Sequence, residues 1–153
     1  METRQVGTIE VTSGHLMTFD PVNEGSSSTT LSIRGVKKGM YRASIVFEDN
    51  EDEKDASVPI GLELRHEDDW NDKTPPVFKS VGAIALIEDL GCLGVWDATL
   101  HEQIAIDNVV AAMKIGSAVV DGGVVHVVRM SGQYEVQTVE DSTGEVMIVY
   151  IKI

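Results

Sequence analysis

The chain has little cysteine, few aromatic residues and few positive charges, and each scarcity excludes something. A single cysteine, Cys92, rules out an internal disulfide and fits a reducing, cytoplasmic setting. Aromatic residues make up 5% of the chain, too few to suggest base-stacking platforms. Lysine and arginine number 12 against 25 acids, a net charge of -13 that opposes binding to an anionic phosphate backbone. Apolar runs such as Ala83 to Ile87 are short, so no transmembrane helix is expected. The start, METRQVGTIE, has no apolar stretch of the kind a secretory signal needs. The Ser-centred nucleophile elbow, the Walker phosphate loop and the paired histidines of a zinc protease are all missing from the sequence.

What is present suits one globular domain. At 153 residues and 42% hydrophobic content the chain can bury a substantial core without staples. Alternation dominates the pattern. Gly7 to Phe19 reads as two strands around Ser13-Gly14, and Tyr41, Ala43, Ile45 and Phe47 mark one face of a third. VPIGLELRH supplies a returning strand, and residues 66 to 77 read as a linker between halves. In the second half, Leu100, Ile104, Val109 and Met113 fall near helical spacing. One α-helix near 98–115 is expected, stopping at Gly116. Asp121-Gly122 and Asp141 to Gly144 mark two hairpins in a closing meander. The expected fold is mainly β, a sandwich or barrel-like arrangement of two pseudo-repeated halves with that one helix.

The repeat lies between residues 6–70 and 81–153 of a single domain. VGTIEV-TSGHLMTFDP from Val6 aligns with VGAIALIEDLGCLGVWDA from Val81. Gly14 and Gly91 each stand six residues before an aspartate, Asp20 and Asp97, which follows Phe19 or Trp96. GMYRASIVFED from Gly39 aligns with GQYEVQTVED from Gly132. A unit that cannot cover its own apolar face would pack against its copy.

The order of these motifs resembles a known family. Ser13 to Pro21, Gly39 to Val46, an acidic segment ending at Trp70, Gly91 to Asp97, and Ser131 to Val146 follow one another as in the domain-of-unknown-function family numbered forty-two forty-one, of bacterial and phage-associated proteins. The resemblance covers nearly the whole chain and implies a β-rich fold, with no activity or catalytic residues to carry over. This chain departs from that pattern. Thr12 precedes Ser13-Gly14, Asp89-Leu90-Gly91 stands in the second copy, and VVRMSGQY replaces a glycine-rich segment.

Two sets of residues suggest chemistry. Glu51, Asp52, Glu53, Asp55, Glu67, Asp68 and Asp69 belong to a stretch, residues 48 to 72, in which only Lys54 and Arg65 are basic. Such a stretch reads first as a solvated face and second as a surface for a basic protein partner. Asp20, Asp97, His15 and His101 are an alternative site, a carboxylate pair with two imidazoles for a small metal-dependent hydrolase. Against it, Asp20 before Pro21 reads as a turn residue and Asp97 as a helix cap. His126 reads as a strand residue facing water or satisfied in the sheet, and Cys92 as buried and inert. The sequence therefore favours a non-enzymatic protein-binding module of antidote, immunity or inhibitor type, without metal or cofactor and without nucleic-acid or membrane partners. Homo-oligomerisation through exposed strand edges is the structural alternative.

Overall fold

The structure, a computed structural model, describes residues 2–22, 30–48, 58–69, 77–86 and 90–153. Two sheets face each other. The first has six antiparallel strands in the order β1 (Glu2–Val11), β4 (Gly39–Phe47), β5 (Pro59–His66), β11 (Val146–Lys152), β10 (Gly132–Glu140) and β6 (Lys79–Leu86). The second has five, ordered β3 (Leu31–Arg34), β2 (His15–Phe19), β7 (Gly91–Asp97), β9 (Gly123–Val128) and β8 (Ser117–Val120). A 3-10 helix at Ala98–Gln103 leads to α1 (Ile106–Ile115), which covers the outer face of the second sheet. The mainly-β expectation holds.

Alternation explains the core. Tyr41, Ala43, Ile45 and Phe47 all point into a cluster between the sheets, joined by Leu62 and Leu64, Val149 and Ile151, and Leu93 and Val95. A second cluster lies between the second sheet and α1, with Phe19, Cys92, Trp96, Val109, Ala112 and Val125. Strand β7 is buried at every position because it is covered on both sides. Its Leu93 and Val95 face the first sheet, and Cys92 and Trp96 face the helix. That double cover is why GCLGVWD does not alternate in polarity.

Three strands of each half occupy matching places in the first sheet. Counted inward from the two edges the order is β1, β4, β5 and β6, β10, β11, so β5 and β11 meet at the centre. Strand β1 bulges between Gln5 and Gly7, which makes Val6 the extra residue. Strand β6 bulges between Ser80 and Gly82, which makes Val81 the extra residue. The Tyr41 hydroxyl donates to the carbonyl of Lys37, and the Tyr134 hydroxyl to that of Met130, four residues back in each case. Just after each bulge stands a glycine, and each makes room for the other sheet. A Cβ on Gly7 would lie 2.5 Å from Val119 Cγ2 of β8, and one on Gly82 would lie 3.0 Å from Leu31 Cδ1 of β3. The two margins of the sandwich are thus closed by packing, β1 on β8 and β6 on β3.

The one expected α-helix is present as α1, within the expected span of 98–115. It starts later than residue 98, after the 3-10 helix, because Ile104 and Ala105 are extended (ψ 120 and 118). Asp121 causes this break. Its carboxylate accepts from the Ala105 N–H at 2.9 Å and from the Asn108 side-chain amide at 3.1 Å, which ties the start of α1 to the β8–β9 turn. That turn has the two positive φ values of a tight hairpin, 49 at Asp121 and 83 at Gly122. The expected stop holds, since the Gly116 N–H closes on the Ala112 carbonyl with φ 113.

Candidate functional site

Strands β2 and β7 are neighbours, and the aspartates of the alternative site sit at opposite ends of their ladder. Asp97 pairs with Leu16, and Phe19 with Gly94. Asp20 lies just beyond Phe19, so about 13 Å of strand separates the two carboxylates. Each is nearly fully buried, at 2% exposure for Asp20 and 1% for Asp97.

Asp97 closes the β1–β2 turn. It accepts from the N–H groups of Thr12 (2.7 Å) and Ser13 (3.0 Å), the Ser13 hydroxyl (2.9 Å), and the N–H and hydroxyl of Thr99 (3.0 and 2.7 Å). It is also the cap of the 3-10 helix, as the cap reading expected. Burial opposes its ionisation. The hydrogen bonds from Thr99, Ser13 and Thr12 outweigh that and hold the carboxyl far below the usual carboxylate range.

Asp20 does the reciprocal work at the other end. It accepts from the Val22 N–H at 3.0 Å, the turn expected before Pro21, and from the Cys92 N–H at 3.3 Å. The Cys92 thiol lies 3.5 Å from the same carboxylate. Burial, then the Asp20 charge, push that thiol far above its usual range, so it stays protonated and unreactive. An aspartate from each half thus binds backbone N–H groups at the start of the other half's strand.

The histidines do not complete a site. The His101 ring packs edge-on against Phe19 with centroids 5.1 Å apart. His15 Nε2 is buried and has no hydrogen-bond partner. Among the described residues, no three of His, Cys, Asp and Glu gather closely enough to hold a metal ion. The carboxylate pair of the alternative site is therefore two separate turn locks rather than a shared acid–base centre.

Of the acidic surface residues, Glu51, Asp52, Glu53 and Asp55 lie outside the described residues, as does Trp70. Glu67 is exposed in a 3-10 turn spanning Glu67–Asp69. Asp68 pairs with Lys37 at 3.1 Å, and its N–H donates to His66 Nδ1 at 3.0 Å. Asp69 belongs to the same turn, and its side chain lies outside the described residues. His66 is buried, with Nε2 2.8 Å from the Lys38 carbonyl, so its proton sits on Nε2.

Two features went unread in the sequence. The Ser117 hydroxyl lies 2.6 Å from His126 Nδ1, across the β8–β9 ladder. This resembles half of a nucleophilic pair. However, burial and then the charge of Arg4 push the imidazole down to about 4, too weak a base to activate a hydroxyl at neutral pH. The second is a groove of about 360 Å³ between α1 and the second sheet, lined by Leu90, Val110, Met113 and Val127, with Lys114 and Arg129 beside them. VVAAMK and HVVRM carry these residues, but nothing in either string says that they face each other.

No helix among the described residues is long and apolar enough to cross a membrane. No protein-family model, no curated protein and no solved structure matches the chain.

Proposed function

We propose that the protein is a non-enzymatic binding module that engages a basic protein partner through its acidic exterior. The observation that carries this reading is the division of labour among the carboxylates. Asp20 and Asp97, the buried carboxylates among the described residues, bond turns together. Other acids, Glu2, Glu10, Glu48, Glu67, Glu140 and Glu145, are exposed to solvent in a chain of net charge -13. A surface of one sign speeds encounter with a partner of the other and discourages like-charged competitors. A role as an inhibitor or antidote of a basic protein follows naturally from that character.

The test is reconstitution. A partner captured from the native host is purified, and binding is measured by calorimetry at about 50 mM and about 500 mM salt. The expected result is one-to-one binding that weakens at least tenfold at the higher salt and again on replacing Glu51, Asp52, Glu53, Asp55 and Glu67 by their amides. Affinity indifferent to both salt and the amide variant would overturn the reading.

A further inference from the structure

The groove between α1 and the second sheet has two cations and no acid among its lining residues. Its walls are apolar, with Val110 and Met113 on the helix and Leu90 and Val127 on the sheet side. Leu90 is 55% exposed and Val110 38%, so apolar surface is left open to solvent there. Two cations, Lys114 near the end of α1 and Arg129 just past β9, line the same groove. Both are exposed, and neither makes an ion pair or side-chain hydrogen bond with the described residues. Lys37 and Arg65, by contrast, are engaged with carboxylates at 3.1 Å.

Two uncommitted cations beside an open apolar trough are a recognition pattern for a ligand with an apolar body and an anionic head. In a chain with 25 acids and 12 bases, a groove whose charged lining residues are both cations is a distinctive place for an anionic head. We propose that this groove binds a small amphipathic carboxylate. The tail lies between α1 and the sheet, against Val110, Met113 and Val127, and displaces water from the exposed side chains. The carboxylate is held by Arg129, whose planar fork suits two oxygens, and by Lys114 as a point charge. No covalent step is involved. The site lies on a different face from the proposed partner surface at Glu67, and it stands or falls independently of it.

The test uses three probes that share one tail: octanoate, octanol and octyltrimethylammonium. Binding to the intact chain is followed by calorimetry and by the chemical shifts of the Val110 and Val127 methyl groups. Octanoate is expected to bind at least tenfold more tightly than octanol, and the cation not at all. Each of Lys114→Gln and Arg129→Gln is expected to weaken octanoate by about tenfold and leave octanol unchanged. Both residues are exposed, so the variants keep the fold, which circular dichroism verifies. Equal binding of octanoate and octanol, octanoate binding untouched by both variants, or shifts confined to other methyl groups would each overturn the proposal.

Discussion

At the scale of single residues, the buried polar groups decide most. Asp97 accepts six hydrogen bonds and stays ionised in spite of burial. Its folded pKa is depressed, so its stabilisation is present above the ordinary value of 3.8 and is lost as pH falls through the folded value. Asp97→Asn is expected to lose roughly 2–4 kcal/mol at neutral pH, because an amide cannot accept from all those donors. Urea unfolding should also show a shallower acid limb for that variant. His126 works with the same sign in a different window. The unfolded ring takes up its proton near 6.5 and the folded ring only near 4, so stability falls between those values and then levels off. His126→Gln is expected to flatten that stretch of the stability curve. Thr18 and Thr138 carry buried hydroxyls with no partner. Thr18→Val and Thr138→Val should each raise stability by about 1 kcal/mol in urea titrations, since a methyl needs no hydrogen bond.

At the scale of elements, the strands follow their own alternation and the exceptions have neighbours to blame. Tyr41, Ala43, Ile45 and Phe47 were legible as one buried face because a half-covered strand must alternate. Strand β7 was legible as a strand but not as one buried throughout, because its second cover, α1, comes from a separate stretch of chain. The helix was legible in type and at its Gly116 end. Its start was not, because Asp121 reaches back from a later turn to hold Ala105 extended. Gly7 is the clearest case of an element serving another. Gly7→Ala should cost roughly 1–3 kcal/mol by forcing β1 away from Val119. Hydrogen exchange should then report β1 and β8 loosening first, while the β5–β11 centre stays protected.

At the scale of the whole molecule, charge and closure set the terms. A net charge of -13 on a chain this small works against compactness by self-repulsion. Raising salt from about 20 mM to about 500 mM is expected to raise the melting temperature by several degrees, as calorimetry would show. A melting temperature that falls with salt would mean that ion pairs such as Lys37 with Asp68 and Asp141 outweigh the repulsion.

The amino-acid order alone determined the strand faces, the two hairpins, the buried cysteine, the acidic excess and the roles of Asp20 and Asp97 as turn and cap. All of these depend on neighbours within a few residues, or on sums over the chain. Only the tertiary structure decided that the two aspartates stand at opposite ends of one strand pair, that His126 meets Ser117, and that Lys114 and Arg129 flank one groove. Those relations join residues from separate strands and a helix, and it is sheet pairing and core packing, not local propensity, that choose which of them become neighbours.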